Sequence, residues 1–401
     1  MGRYKYRAMN SDNEKIEGKY EAKTKDEVIE FIESNGMYPL LVEEIVQSRD
    51  VKFGVNRKVK VKDIAIMSRQ FYTMLETGVP ILECLNILSN QIENNKLREC
   101  ITEIAADINK GGVLSDCMKK HKKVFPSLFI SLVASGEASG RLDTVMLRMA
   151  NYYEKETKTA NKVKSAMIYP CVLAFVAVVA VTFILVYVMP TFIEVFEGTG
   201  TQLPWNTRLL LWLSSAIQNN WIAILIVLGA GIFGGKYYFG TEQGKYTVSR
   251  LQLKIPFIKK LNQMSIVSQF TRTMSMLIGS GIPLIDSIVI VTDVVKNKIA
   301  KDALMTVNER ISRGEGLYYS IEETGIFPKM LCSMVRIGEE TGALDSILNK
   351  TADFYDEELD STIQVTVSLM EPALIVVMGI VIGFIVISIM LPMFDMYSQI
   401  G

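Results

Sequence analysis

The most specific polar pattern in the sequence is a motif, G-E-x-[ST]-G-x-L-D, that reads GEASGRLD at 136–143 and GEETGALD at 338–345. Gly136 is predicted to end one helix, and Glu137 can accept hydrogen bonds from backbone amides of the turn that follows. Asp143 falls in the first turn of the next helix, where the helix dipole favours a carboxylate. The motif predicts either a structural corner or a polar surface that meets a partner. Its residues are Gly136, Glu137, Gly140, Leu142 and Asp143, and Gly338, Glu339, Gly342, Leu344 and Asp345.

Groups for catalysis or for cofactor binding are scarce. The single histidine, His121, lies within KKHKK and completes neither a zinc site nor a Ser–His–Asp triad. The string GTEQGKYT at 240–247 lacks the glycine spacing of a P-loop. Five scattered cysteines favour no disulfide framework. We therefore predict no enzyme activity, no metal and no cofactor.

The charged residues are segregated along the chain. The 43 basic and 43 acidic side chains balance, which argues against a strongly basic nucleic-acid binder. Yet residues 165–235 and 372–401 carry only four charges: Glu194, Glu197, Arg208 and Asp395. Since about 20 apolar residues span a bilayer, we predict an integral membrane protein with three transmembrane helices, at 167–190, 219–239 and 371–393. A connecting loop at 191–218 and a tail at 394–401 lie on the outside.

Basic residues near the spans indicate the orientation. Five precede the first span and six follow the second, whereas the loop between these spans holds only Arg208. The pattern predicts a cytoplasmic N-terminus and a cytoplasmic middle region. The flank of the third span is acidic, so its direction rests on counting the spans, which puts the C-terminus on the extracytoplasmic side. The basic residues are Arg148, Lys155, Lys158, Lys162, Lys164, Lys236, Lys245, Arg250, Lys254, Lys259 and Lys260.

An internal repeat organises most of the chain. Residues 69–85 align with 272–288, so that the turn formed by Gly78 and Pro80 corresponds to Gly281 and Pro283. The alignment continues through FPSLFISLVASGEASGRLD and FPKMLCSMVRIGEETGALD into the first and third spans. The fold is thus predicted to be mainly α, with two homologous cytosolic bundles at 62–166 and 264–370 and a basic connector at 240–263.

Each repeat is predicted to contain about six helices. In the first, the periodicity favours helices at 62–77, 81–93, 96–110, 113–121 and 127–135, with Gly78 closing one helix and Pro80 opening the next. A long stretch from 142 to 190 then continues from the bundle into the first span.

The first 46 residues form a separate module. YKYRAM and KIEGKYEA alternate around a turn at 11–13, KDEVIEFIESNG favours a helix and YPLLVEEIV favours a third strand. We predict a ββαβ module, followed by a basic linker at 47–61 that is either a solvated tether or a contact for anionic lipid.

Three residues mark the start of the spans. Pro170 is expected to kink the first helix, and it aligns with Pro372, next to Glu371. Glu371 is either an interfacial helix cap or an anchor for a partner's membrane helix.

Together, the duplicated GEASGRLD and GEETGALD corners, the G-V-P and G-I-P turns and the three spans resemble the type II secretion F domain. Two such domains after an N-terminal segment like this one resemble the inner-membrane platform proteins of type IV pili and type II secretion. The resemblance covers essentially the whole chain.

The resemblance implies a non-enzymatic platform in the bacterial inner membrane. Its expected partners are a hexameric cytosolic assembly ATPase, the transmembrane helices of pilins or pseudopilins, other inner-membrane assembly proteins, the lipid bilayer and a second copy of the chain, with a dimer favoured and no nucleic acid. A secretion or DNA-uptake pseudopilus is the alternative within the family. A repeat-built transporter is the alternative from another class, although the spans lack polar substrate groups.

Overall fold

The computed structural model describes residues 2–9, 15–22, 24–44, 58–192 and 204–400. They belong to two compact units, Met1–Lys58 and Val59–Gly401.

The first unit is a small sheet with one helix. Antiparallel strands lie in the order β2-β1-β3, and Thr24 caps the helix, whose Val28 and Ile32 are fully buried. The predicted turn at 11–13 and residues 47–57 of the linker lie outside the described residues. The elements are β1 Gly2–Met9, β2 Lys15–Ala22, α1 Lys25–Ser34 and β3 Tyr38–Glu44.

The first repeat forms six helices with apolar faces turned inward. Phe71, Phe125 and Phe129 are fully buried at its centre. The first five predicted helices agree with the observed ones to within about four residues, with the largest difference at the end of α6, whereas the sixth was predicted to run on from 142 to 190. They are α2 Val61–Glu76, α3 Ile81–Gln91, α4 Asn95–Asn109, α5 Leu114–Lys119, α6 Ser127–Ser139 and α7 Leu142–Ala166.

A central region connects the repeats. It comprises α8 Ile168–Phe183, a π-helical turn Ile184–Val188, α9 Trp205–Asn219, α10 Trp221–Gly240 and α11 Glu242–Lys254.

The second repeat also has six helices, and its buried residues join those of the first in one hydrophobic core. They are α12 Pro256–Ile278, α13 Leu284–Val294, α14 Lys298–Ser312, α15 Leu317–Glu322, α16 Lys329–Thr341 and α17 Leu344–Ile400.

Two predicted segments contain more helix than the sequence indicated. The stretch 240–263 is not a plain connector, because α11 fills much of it and α12 begins at Pro256, a residue suited to the first helical turn. At the other end, α17 does not stop at the predicted tail but continues to Ile400.

Residues 205–219, predicted to be part of a loop, form α9, which packs against the apolar helices. Its polar face points inward: Thr207 donates to the Ser388 carbonyl at 2.6 Å and Ser214 donates to the Leu185 carbonyl in the π-helical turn. Trp205 and Trp212 are exposed on the opposite face. The loop prediction failed because the buried side of this helix mixes Leu210 with the polar residues Thr207 and Ser214, so that its apolar periodicity is weak.

Two helical stretches, Leu142–Phe192 and Leu344–Phe394, are long and apolar enough to cross a membrane. Their apolar parts are mostly uncovered by protein, and Phe175 and Ile380 are 69% and 67% exposed. A buried core helix in a soluble protein would hide such side chains.

Candidate partner-contact corners and the joint between the repeats

The GEASGRLD motif forms the corner between α6 and α7. Gly140, not Gly136, ends α6: it adopts φ 68°, and the Arg141 amide donates to the Gly136 carbonyl, a geometry that glycine makes accessible. Gly136 lies inside α6, where a Cβ atom would approach Leu142 Cα at 3.2 Å. The prediction that Gly136 ends the helix is therefore wrong, because the missing side chain serves close helix packing.

Glu137 points into the bundle. Its carboxylate accepts hydrogen bonds from the amides of Leu114 at 2.7 Å and Ser115 at 2.8 Å, at the start of α5. The acceptor role was expected, but the partners belong to a helix more than twenty residues earlier in the chain and not to the adjacent turn. A carboxylate there satisfies amides that have no partner within α5.

The second corner repeats this geometry. Gly342 has φ 68°, a Cβ on Gly338 would lie 3.0 Å from Leu344 Cα, and Glu339 accepts from the amides of Leu317 and Tyr318. Asp143 and Asp345 both occupy the first turn of the following helix. The corners thus fix the angle between the last two helices of each repeat.

The turns at Gly78–Pro80 and Gly281–Pro283 also match each other. Gly78 and Gly281 have φ 83° and 81°. Pro80 and Pro283 precede α3 and α13 as N-cap residues and not as first helical residues, because their ψ angles near 145° are still extended. In the turn at Gly78–Pro80, the Pro80 carbonyl already accepts a hydrogen bond from the Cys84 amide.

An arginine joins the first and last helices of each repeat, a role that the sequence alignment of Arg69 with Arg272 did not predict. Arg69 on α2 holds Glu154 on α7 through two hydrogen bonds of 2.7 and 2.9 Å. This interaction lowers the pKa of Glu154 and raises that of Arg69. The available signal was an acidic residue about 85 positions after the arginine in both copies.

The second arginine lies in a more buried cluster. Arg272 on α12 donates to Asp353 and Asp356 on α17, and Asp356 also accepts from Ser268. Burial alone lowers the pKa of Arg272, but the hydrogen bonds to the two aspartates outweigh it, so the pKa is raised. Lys155 of the first repeat donates to Asp356 at 2.6 Å, so this cluster joins the repeats.

A cavity of about 720 Å³ lies at this joint, between α7, α12 and α17. Charged groups of both signs line it, including Arg148, Glu156, Arg272, Asp345 and Asp356. Asp345 of the second corner thus borders the joint. Nearer the apolar segments, Lys162 pairs with Asp360 at 2.7 Å.

The start of the apolar helices differs between the repeats. In the first, α7 ends at Ala166 and α8 begins at Ile168, so the break precedes Pro170, which cannot donate to the Ala166 carbonyl. In the second, α17 passes through Pro372 without interruption. Glu371 is therefore not a helix cap, and it accepts a hydrogen bond from the Tyr169 hydroxyl at 3.3 Å.

Within the described part of the chain, no three His, Cys, Asp or Glu side chains come together as a metal site would require. The Nε2 atom of His121 lies 3.4 Å from Oε2 of Glu103. Cys84, Cys100, Cys117 and Cys332 are buried free thiols whose pKa values burial raises.

Comparison with known proteins assigns this arrangement to a class. Residues 67–190 and 270–392 each match the family described as type II secretion system (T2SS), protein F, and residues 1–43 match the N-terminal domain of that protein. The chain belongs to the type II secretion system protein F family.

Similar proteins are known from both pilus and secretion systems. A type IV pilus assembly protein PilC from Thermus thermophilus is 33% identical over 99% of both chains. One from Myxococcus xanthus is 32% identical over 98% of this chain and 95% of its own length. A type II secretion system protein F from Vibrio cholerae is 31% identical over 99% of this chain and 98% of its own length.

Proposed function

We propose that this chain is the inner-membrane platform of a type IV pilus assembly machine, which couples a cytosolic hexameric ATPase to the insertion of pilin subunits. The observation that carries the proposal is that the last helix of each repeat leads from a charged bundle into an apolar segment exposed for lipid or for other helices. A partner's movement of either bundle is thereby delivered to the membrane.

The proposed topology has three crossings. The 20 residues of α10 are long enough for a span at 1.5 Å per residue, and the basic residues around α7 and α11 favour a cytosolic side for both bundles. The N-terminus is then cytoplasmic and the C-terminus extracytoplasmic. Reporter fusions after Asn95, Asn220 and Gly314 test this, and a cytosolic signal at Asn220 would contradict it.

The proposed domains are the N-terminal module, the two bundles and the three spans. Within the bundles, Glu137 and Glu339 accept hydrogen bonds from internal amides and do not face a partner. The residues proposed to contact a partner are therefore the corner tips at 138–141 and 340–343, which are largely exposed. Alanine at Glu137 or Glu339 should reduce both piliation and stability, and a variant with normal piliation and stability would refute any role.

The proposed motion uses the helices that connect the bundles to the membrane. Met167, between α7 and α8, keeps a right-handed helical backbone, so a nearly continuous helix joins the first bundle to its span, as α17 does for the second. The ionic joint through Lys155 and Asp356 keeps the bundles in register during that movement.

A secretion pseudopilus is the second candidate, because the similar proteins include secretion components. Deletion of the gene, followed by imaging of pili and assay of secreted proteins, separates the two. Affinity purification of the tagged membrane complex, followed by mass spectrometry, should recover an assembly ATPase together with pilins. Recovery of pseudopilins without pilins would favour secretion, and recovery of neither would contradict the platform proposal.

A further inference from the structure

The two repeats meet through different surfaces. One part of this contact is made on the first repeat by α6, beside the joint that α7 makes with α12 and α17: Ser127 donates to Asp293 at 3.1 Å, and Ser135 donates to the Ser280 carbonyl. On the second repeat it is made by the turn before α13 and by α13 itself. We call these two surfaces the α6 face and the α13 edge.

The reciprocal contact, in which α16 would meet α3, does not repeat the contact of α6 with α13. If the repeats were related by an exact twofold axis, α16 of the second repeat would pack on α3 of the first. Instead, the main packing partners of α3 are α2 and α4, and those of α16 are α15 and α17. The repeat therefore carries a head-to-tail interface that is used once within the chain.

The unused face is apolar and exposed. Lys329 and Ile337 on α16 occupy the positions of Ser127 and Ser135. Met330 is 40% exposed whereas its counterpart Leu128 is 1% exposed, and Ile337 is 42% exposed. We call this surface of Lys329, Met330 and Ile337 the α16 face.

The corresponding edge of the first repeat, on α3, is less buried than the α13 edge. On α3, Ile87 is half-buried whereas the equivalent Ile290 is 9% exposed. Asn90 corresponds to Asp293, and Glu83 and Glu93 lie exposed near it. This α3 edge is acidic, whereas the α16 face carries the exposed cation Lys329; Arg336 beside it pairs with Glu340 on the same helix.

We infer that the α16 face of one chain binds the α3 edge of a second copy, which repeats between chains the contact made within each chain. The inference rests on the proposed topology, in which both repeats lie on the cytosolic side and their spans run in the same direction. Copies held in one membrane plane are related by rotation about the membrane normal, so a head-to-tail contact closes into a ring when that rotation is a whole fraction of a turn.

Cysteine crosslinking of the purified full chain tests the contact. In a background with the exposed Cys171 changed to serine, Lys329→Cys and Asn90→Cys are placed on separately tagged chains, which are expressed together and treated with a short bismaleimide. The mixed pair should give a product between chains, and each variant alone should give none. Ser127→Cys with Asp293→Cys in one chain is the matched control, since these side chains touch.

Three outcomes would overturn the inference. The first is a product from Lys329→Cys alone, which indicates a face-to-face dimer. The second is no mixed product where the matched control reacts. The third is a crosslink from Lys329→Cys to an added assembly ATPase in place of the mixed product, which assigns the face to that partner. The reporter fusions test the topology separately, so failure of the contact and failure of the topology are distinguishable.

A second variant probes the apolar part of the α16 face. Met330→Asp with Ile337→Asp should shift the purified chain in detergent from an assembled mass to the mass of one chain. Met305→Asp, at a 53% exposed position on α14, should leave the assembled mass unchanged. Thermal unfolding of each variant shows whether the bundle remains folded, and an unaltered mass in a folded double variant would contradict the inference.

Discussion

The corners of the two repeats have the same geometry, but the helices that lead from them to the apolar segments differ. Glu137 and Glu339 hold the same pair of amides, and Gly140 and Gly342 have the same φ of 68°. The helices that follow differ: the first has a single turn residue at Met167, where the backbone stays right-handed, and the second is continuous for 57 residues. The two repeats have kept the hydrogen bonds and glycines that form the corner of each bundle, whereas the helices that connect the bundles to the membrane have diverged.

The arginine clamps show the same division. Arg69 and Glu154 are each about one-third exposed and hold one repeat together. Asp356 is only 6% exposed and is shared by Arg272, Ser268 and Lys155 of the other repeat. The second clamp therefore also holds the joint between repeats, and its loss should be the more damaging.

The largest expected effect comes from the buried clamp. Arg272→Ala leaves the Asp356 carboxylate with fewer partners in a buried site, so it should lower the free energy of unfolding by roughly 3 kcal/mol. Arg69→Ala at the exposed clamp should cost at most about 1 kcal/mol. Thermal unfolding of the purified variants in detergent measures both, and equal losses would contradict the distinction.

The next largest effect on stability is expected from substitution of the glycines inside α6 and α16. A Cβ on Gly338 would lie 2.9 Å from Leu344 Cδ1, and a Cβ on Gly136 would lie 3.0 Å from Val145 Cγ2. Gly338→Ala should cost about 2 kcal/mol, and Gly136→Ala somewhat less, because a packed corner must open. Gly379→Ala, with no atom within 4 Å of the added carbon, serves as the control. If all three variants unfold alike, close packing is not the role of these glycines.

The corner glutamates should have equal effects in both repeats. Glu137→Gln or Glu339→Gln leaves only one acceptor oxygen for two amides, at a cost of about 1 kcal/mol. Hydrogen exchange should speed up in the first turn of α5 or α15, respectively. Glu99→Gln, at an exposed position on α4, should leave both turns protected. Unchanged exchange in the corner variants would show that these carboxylates do not hold the amides.

The smallest effect is a dependence on pH. Arg69 lowers the pKa of Glu154, so the clamp's stabilisation is complete above the ordinary glutamate pKa and is lost as the pH falls through the lowered value. The stability difference between the wild type and Arg69→Ala should therefore shrink between about pH 5 and pH 3. Unfolding measured across this range tests the sign, and a difference that grows on acidification would contradict it.

The helices were predictable where local signals determine them. The apolar periodicity, Gly78 and the prolines placed the first-repeat helices close to their observed bounds. Gly136 was misinterpreted because glycine commonly ends helices, whereas here a neighbouring helix needs the space. That neighbour is visible only in three dimensions.

The site was predictable in its residues but not in its contacts. The repeated motif singled out Glu137 and Glu339, yet their amide partners lie 22 to 23 and 21 to 22 residues away in the chain. The joint formed by Lys155 and Asp356 connects positions 201 residues apart, and no periodicity encodes such a pair. The buried polar residues Thr207 and Ser214 of α9 likewise depend on the carbonyls that they meet.

The central claim is that the last helix of each bundle delivers movement to the membrane. It is tested most directly by inserting four glycines after Lys164 or, in the second repeat, after Thr366, and counting surface pili by electron microscopy. A matched insertion after Gly314, in the turn between α14 and α15, is the control. The account predicts loss of pili with both helix insertions, normal membrane insertion of all variants and retained pili in the control. Normal piliation with either helix insertion would contradict it.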